Sequence, residues 1–278
     1  MSETTKYSLE AKNPYELRVD MSENATEAEV KAALATGGLG YVHSFTTGSC
    51  VDGPGVRVVV WLTGCHFRCI YCHNPDTWKM KNGMPVTLDQ ARQELSKYSE
   101  GLKIMKGGLT ISGGEPLLQD RFVVRFCDVA KELGVHTTLD TNGHMGSKLS
   151  DEELERIDLV MWCIKAWDND LHKKITGMEN GPAREFARRL ASNRRPMWLR
   201  YVLLPGVTDN EKEINEVAHF AAKLGNVERV DLLPFHQMGE FKWDKIGMTY
   251  SLHHKKPPTE ELIQRVRGQF QAAGLITP

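Results

Sequence analysis

The chain has 278 residues, 41% hydrophobic and 26% charged, ordinary proportions for a globular protein that can bury a core of its own. Its formal net charge of -1 gives no electrostatic reason to expect nucleic acid or an anionic membrane surface as a partner. The polar start, Met1-Ser2-Glu3-Thr4-Thr5-Lys6, does not resemble a secretory leader. No apolar run approaches the roughly 18 residues that span a bilayer, so the expectation is a cytoplasmic protein with reduced thiols.

Residues 1–40 read as a polar extension, a tail or a surface strap, ahead of a domain covering 41–278. Within the extension, residues 27–35 are a helix candidate, with Thr26 and Glu29 as a capping box and Gly37-Gly38 as its end. Asn24-Ala25-Thr26 matches a glycosylation sequon, which has no use in a cytoplasmic chain. His43-Ser44-Phe45 leads into a turn-rich stretch, Val51-Asp52-Gly53-Pro54-Gly55. Residues 56–62 then read as a buried strand, β-branched and nearly all apolar. Thr63-Gly64 breaks it, and Cys65-His66-Phe67-Arg68-Cys69-Ile70-Tyr71-Cys72 follows, with half of the chain's 6 cysteines spaced C-x3-C-x2-C.

Beyond that motif a rhythm sets in. Helices are predicted over 87–97, 120–133, a short span from Ser150, 182–192, 209–224 and 259–273. Strands are predicted over 109–111, 135–139, 159–164, 197–204 and 230–233. With the strand before the cysteines this makes six strands alternating with helices, the pattern of a parallel sheet with right-handed crossovers. The cysteines, Glu115, Asp140, Lys165, Arg200 and His236 fall at or near strand ends, where parallel α/β barrels place their chemistry. Six units are fewer than the eight of a closed barrel. The expected fold is therefore α/β, a partial, open (β/α)6 parallel barrel with a lateral gap.

Clustered cysteines in a reducing compartment read as metal or redox ligands. Three thiolates can hold three irons of a cubic iron–sulfur cluster and leave the fourth iron open. The alternative is a zinc site of three cysteines with His66 or His73, although structural zinc sites usually pair two separated ligand knuckles and this chain has one. Phe67, Ile70 and Tyr71 would shield such a metal from water. Elsewhere the residues alone are less specific. Gly113-Gly114 reads as a tight turn, Asp140 as a cap or Asx turn, His236 as a loop histidine and residues 52–55 as a plain turn. Lys165 and Arg200, in apolar strands, demand partners.

CHFRCIYC, followed by SGGEP after the second strand, resembles the radical S-adenosylmethionine (SAM) superfamily. HSFTTGSCVDGPGVR, DTNG, LVMWCIK, WLRYVLLPGVTD, LLPFHQMG and KPPTEE together resemble its glycyl-radical-enzyme activating enzymes, from about Gly40 to the C-terminus. The resemblance implies a radical SAM partial barrel and a [4Fe-4S] cluster on Cys65, Cys69 and Cys72, with S-adenosyl-L-methionine on the open iron. It implies SAM contacts at Tyr71, His73, Gly113, Gly114, Glu115, Asp140, Lys165, Arg200 and His236. It further implies that Asp52, Gly53 and Pro54 help receive the partner's glycine-bearing loop.

The implied reaction is cleavage of SAM by one electron, giving a 5′-deoxyadenosyl radical that takes hydrogen from a backbone glycine of a glycyl radical enzyme. A low-potential donor, a flavodoxin or ferredoxin, is implied. The chain has no second cysteine cluster, which favours a partner of the pyruvate formate-lyase type. Two other readings are a radical SAM enzyme acting on a small molecule, like the carboxy-deazaguanine synthases, and a zinc-stabilised binding module. One position departs from the pattern. Cys163 stands where similar chains carry the Asp of Asp-x-Lys, which helps bind a monovalent cation; a thiol is a poor ligand for a hard cation, so that site is in doubt here. Cys163 and Cys127 are otherwise expected to be core cysteines, Cys50 has no assigned role, and the chain is expected to be a monomer.

Overall fold

Six strands that each return through a helix must lie parallel, and they do. A computed structural model describes residues 27–278; the Thr26 cap and the Asn24 sequon lie outside the described residues. The sheet has the order β3-β1-β2-β4-β5-β6-β7-β8. Its parallel part is β2 (Arg57–Leu62), β4 (Gly108–Gly113), β5 (His136–Thr141), β6 (Leu159–Ile164), β7 (Met197–Leu203) and β8 (Val227–Pro234). These are the six strands the sequence predicts. Two more extend one edge. β1 (Leu39–Ser49) pairs antiparallel with both β2 and β3 (Met84–Thr87). β1 mixes Gly, His, Ser and Thr among its apolar residues, and β3 is four residues with a proline, so neither carries a clear period. Because β3 and β8 are the two ends of a linear order, the sheet stays open.

The helices are α1 (Glu27–Thr36), α2 (Leu88–Ser96), α3 (Ser99–Ile104), α4 (Asp120–Glu132), α5 (Asp151–Leu154), α6 (Asn169–Thr176), α7 (Gly181–Ser192), α8 (Glu211–Leu224), α9 (Glu240–Lys245) and α10 (Glu260–Ala272). Side-chain caps set several starts. Thr87 and Gln90 form a capping box on α2, as do Ser150 and Glu153 on α5, and Asn210 caps α8. The short helices α3, α6 and α9 were not expected, being too brief to show a helical period. No described helix is long and apolar enough to cross a membrane.

Side chains alternate across the parallel strands. Ile111, Leu139, Val160, Leu199 and Tyr201 join the main core, with Phe122 and Phe126 of α4 and Val217 of α8. The opposite, inner face carries Thr110, Ser112, Thr138, Asp140, Cys163 and Arg200, outside that core. Polar residues there must satisfy one another. Arg57, fully buried, does so at the strands' N-terminal end. Its Nε donates to Thr110 Oγ1 at 2.9 Å, and its Nη2 donates to the Leu109 carbonyl at 2.6 Å and to Thr138 Oγ1 at 2.8 Å. Its Nη1 reaches the Pro54 carbonyl at 3.2 Å, and Thr110 Oγ1 donates to the Asp52 carbonyl at 2.6 Å. Burial lowers the Arg57 pKa to about 10, with Asp158 and Asp52 opposing the shift, so it stays charged at neutral pH. One buried arginine thus ties the 51–55 turn to β4 and β5.

Replacing Arg57 by methionine fills the space but leaves two threonine hydroxyls and a strand carbonyl without their donor. The expected loss is about 3 kcal/mol or more, read as a lower urea midpoint at unchanged slope. A loss below about 0.5 kcal/mol, the size of a surface change, would show that the network does not hold the turn.

Candidate active site

The cysteines lie on the loop that leaves the C-terminal end of β2. That loop has little regular structure, so tertiary hydrogen bonds fix it. Gly64 N donates to the Thr77 carbonyl at 2.7 Å and Cys65 N to that of Trp78 at 3.1 Å. Arg68 N and Ile70 N bond the Thr176 and Ile175 carbonyls, at 2.8 and 3.0 Å, at the end of α6. On the other side Gly114 N bonds the Leu62 carbonyl at 2.8 Å and Glu115 N bonds that of Gly64 at 2.7 Å. A Cβ on Gly113, whose φ is +120°, would lie 2.2 Å from the Leu62 carbonyl oxygen, and one on Gly114 would lie 2.3 Å from that of Gly64. The glycine pair, read from its residues as a tight turn and from the resemblance as a SAM contact, first serves the close approach of the cysteine loop.

Cys65, Cys69 and Cys72 are free and half-buried. Burial pushes the Cys65 thiol up to about 12 and raises Cys69 and Cys72 as well. Without a metal these are neutral thiols; binding one would deprotonate them. The two histidines weighed as zinc ligands have other neighbours. His66 meets Phe67 and His144, each at 4.8 Å between ring centroids, and both its ring nitrogens are buried without a partner. His73 stacks on His236 at 4.2 Å, and its Nε2 lies 2.9 Å from the His236 carbonyl. Among the described residues, no three His, Cys, Asp or Glu side chains are grouped to hold a single ion. A cubic cluster does not need that convergence, because each thiolate binds its own iron. A soft donor set of three thiols fits such a cluster.

Beside the loop, Glu115 is fully buried. Its Oε1 accepts from Leu117 N at 3.0 Å and Thr141 Oγ1 at 2.6 Å, and its Oε2 from Asn142 N at 2.9 Å. A carboxylate offers about four acceptor positions, so one remains, on Oε2. Burial raises the Glu115 pKa to about 7 against those three bonds, helped by nearby Asp140. Asp140 lies within β5 and caps no helix. Its Oδ2 accepts from Ser112 Oγ at 2.7 Å and from Arg200 Nη1 at 3.1 Å. Arg200 Nη2 lies 3.8 Å from Asp52 Oδ1, and Ser49 Oγ donates to Asp52 Oδ2 at 2.6 Å. The 51–55 turn therefore folds back along the inner face as far as Arg200. Burial works against the Arg200 charge, but Asp140, Cys163, Asp52 and Asp231 more than offset it.

Lys165, just past β6, donates to Cys163 Sγ at 2.7 Å. Burial opposes its charge, yet Cys163, Tyr71 and Cys69 together hold its pKa well above the ordinary value. Cys163 thus faces the inner polar surface and pairs with Lys165, unlike Cys127, which sits in the core. Tyr71 is buried beside Trp78 and Phe235, with its hydroxyl unpartnered. The structure brings Cys65, Cys69, Cys72, Glu115, Asp140, Lys165 and Arg200 to one region, with His73 and His236 stacked at its edge. The sequence reading singles out none of Thr141, Asn142 and Trp78 as a site residue, although Ser112 falls in the SGGEP run and Thr141 and Asn142 in the DTNG run that carry the resemblance.

Comparison with known proteins gives one consistent result. A family described as "4Fe-4S single cluster domain" matches residues 51–177. The chain is 39% identical to the pyruvate formate-lyase 1-activating enzyme of Escherichia coli (strain K12) over 238 residues, covering 85% of this chain and 97% of that protein. It is 40% identical to the pyruvate formate-lyase-activating enzyme of Listeria monocytogenes serovar 1/2a over 231 residues, covering 81% and 93%. Among solved structures, a domain of the pyruvate-formate lyase-activating enzyme from Bacteroides vulgatus superposes with a TM-score of 0.53 at 26% identity, covering 62% of this chain and 98% of that one. A radical SAM methyltransferase from Sphaerobacter thermophilus superposes with a TM-score of 0.56 at 18% identity over 80% of this chain and 65% of the other, a likeness of fold alone.

The raised Glu115 pKa gives a signed pH dependence. Below pH 4.5 its carboxyl is protonated in both folded and unfolded chains and costs nothing. As pH rises toward about 7 the unfolded chain ionises first, so stability falls, by a few kcal/mol at most, and then levels off. In urea titrations of the metal-free protein, Glu115→Gln should be less stable at pH 4.5, because Asn142 N loses its acceptor, but should show a flatter decline to pH 7. Equal slopes for both proteins would show that Glu115 ionises as freely as an exposed carboxylate.

Proposed function

Because the chain belongs to the pyruvate formate-lyase-activating enzyme family of the radical SAM superfamily, we propose that it installs a glycyl radical on an enzyme of the pyruvate formate-lyase type. Held together, a [4Fe-4S] cluster and SAM would supply the chemistry, a one-electron cleavage of the sulfonium giving a 5′-deoxyadenosyl radical able to take hydrogen from a backbone glycine of the partner. The observation that carries this reading is the grouping of three free, half-buried thiols on a loop braced against Gly113-Gly114, directly beside the polar inner face.

In this reading Cys65, Cys69 and Cys72 hold the cluster and leave one iron for SAM. Lys165 and Arg200 are the cations available to the methionine carboxylate, and the remaining Oε2 position of Glu115, with the Gly113-Gly114 backbone, is available to its ammonium. Asp140, Tyr71, His73 and His236 line the rest of the pocket. Cys163 offers a sulfur where a hard cation needs oxygen, so Lys165, rather than a monovalent ion, balances charge there. Asp52, Gly53 and Pro54 meet the partner's glycine loop, and the turn's depth along the inner face supports that role. Residues 41–278 form the catalytic unit and 1–40 an appendage. A flavodoxin or ferredoxin supplies the electron. Every residue named comes from one chain, so a monomer suffices.

The test uses protein reconstituted anaerobically with iron and sulfide, reduced, and mixed with SAM and pyruvate formate-lyase. The wild type should hold labile sulfide and give a glycyl radical signal by electron paramagnetic resonance. Cys65→Ala, Cys69→Ala and Cys72→Ala should each lose at least about 100-fold of that signal, the scale of losing one essential transition-state contribution, while Cys127→Ala keeps it. Stoichiometric zinc without labile sulfide would contradict the reading. SAM cleavage with no glycyl radical would move it to a small-molecule substrate.

A further inference from the structure

Sulfur is a large atom and a weak acceptor, so hydrogen bonds to and from it are long. Among the described residues, Cys50 Sγ lies 3.8 Å from the Gly48 carbonyl oxygen, and Thr63 Oγ1 lies 3.9 Å from Met80 Sδ. Lys165 Nζ stands only 2.7 Å from Cys163 Sγ. The closeness has a local cause. Residues two apart on a strand share a face, so Cys163 near the end of β6 and Lys165 just past it project to the same side of the sheet. Arg200, paired with Cys163 in register, is taken up by Asp140, which leaves the sulfur to the lysine. Among the described residues, Cys163 Sγ is the one hydrogen-bond partner of the Lys165 ammonium.

A thiol in contact with a lysine, on a polar face that small molecules can reach, is set up for oxidation. Cys163 has 9% of its surface exposed on the open inner face, whereas Cys127 has 1% and lies in the core. Oxidation of a thiol is arrested when a neighbouring thiol or nitrogen traps the oxidised sulfur. The nitrogen at hand is Lys165 Nζ, already in place and half-buried. Its distance from the sulfur selects the product. A span of 2.7 Å is too long for a direct N–S bond, and it suits two single bonds that meet at one bent oxygen.

We propose that Cys163 and Lys165 are a modification site for molecular oxygen, which joins them through an N–O–S bridge and so withdraws Lys165 from the pocket. The ammonium, the thiol and one oxygen molecule give the bridge, one water and one proton. The Nζ–O and O–Sγ bonds form. The O–O bond, two N–H bonds and the S–H bond break, and two of the three hydrogens leave in the water. Nitrogen and sulfur each lose two electrons, and oxygen accepts all four. Two molecules of a dithiol reverse the step, supplying four electrons as they become disulfides, with the bridging oxygen leaving as water. The bridged nitrogen carries no charge and cannot serve as the counter-ion of a carboxylate. That consequence rests on the function proposed above, in which Lys165 meets the methionine end of SAM; the bridge itself does not. Exposure to oxygen would then shut the SAM site reversibly.

The experiment exposes the full-length protein to air-saturated buffer, alkylates its free thiols, digests it with trypsin without reductant and maps the peptides by tandem mass spectrometry. The expected product is a peptide from Ile157 to Lys173, uncut after Lys165, unalkylated at Cys163, and heavier by one oxygen less two hydrogens. Dithiothreitol added before alkylation should restore both cleavage after Lys165 and alkylation of Cys163. Cys163→Ser and Lys165→Arg should each abolish the product. Four results would overturn the proposal: Cys163 as fully alkylated as Cys127, Cys163 carrying oxygens while trypsin still cuts after Lys165, a disulfide from Cys163 to a loop cysteine, or a peptide lighter by two hydrogens with no oxygen gained. The consequence for the pocket is read separately, by equilibrium dialysis of SAM against anaerobically reconstituted protein. Lys165→Met, which lacks the charge as the bridged residue does, should bind SAM at least about tenfold more weakly, the scale of one lost charge-assisted hydrogen bond. Unchanged binding by that variant would overturn the withdrawal from the pocket through the SAM reading, and not through the bridge.

Discussion

The site depends on a backbone seam. Gly114 N and Glu115 N hydrogen-bond the carbonyls of Leu62 and Gly64, and the absence of side chains at 113 and 114 lets the two segments close. That seam sets where the cysteine loop begins relative to β4. The same peptide then turns Glu115 inward, where its carboxylate gathers donors from Leu117, Thr141 and Asn142 and so fixes the end of β5. Two strand ends and the cysteine loop are thereby locked to one another. Substituting either glycine would displace backbone rather than a flexible side chain.

Below the seam, the inner face is organised by charge. Two arginines divide the work. Arg57 is spent wholly on hydroxyls and carbonyls at the strands' N-terminal end and holds the 51–55 turn by its backbone. Arg200 sits higher and stands between Asp140 and Asp52, with Asp231 paired across the sheet. Lys165 stands at the strand ends with Cys163 as its partner. Buried cations with incomplete counter-ions are costly to maintain, and the arrangement is intelligible if an anionic group of a ligand completes it. Cys163, bonded by Lys165 and paired in register with Arg200, places a sulfur between two cations at this corner.

Much of this was legible beforehand. Six apolar strands, each followed by polar residues, announced a parallel sheet with its chemistry at one end, and the C-x3-C-x2-C spacing announced a cluster. What escaped notice was long-range or pattern-poor. β1 and β3 are edge strands whose Gly, Ser, Thr and Pro residues look like loop. Trp243 meets Cys72 across 171 positions of sequence, and no periodicity reports such a contact. Glu115 was expected to face a ligand, but three of its acceptor positions serve the protein. Asp52 looked like part of a surface turn, yet it reaches Arg200 because Thr110 and Arg57 pull its backbone inward.

In the proposed site, three thiols would leave one iron open and the pocket beside it would present the methionine end of SAM to that iron. The most direct measurement is electron–nuclear double resonance on the reduced cluster protein with SAM labelled at the methionine amine with nitrogen-15 and at the carboxylate with oxygen-17. Resolved couplings from both labels, lost when any one of the three cysteines is replaced, are the expected result. A reduced cluster that shows no coupling to either label, or a protein that takes up zinc in place of iron and sulfide, would contradict it.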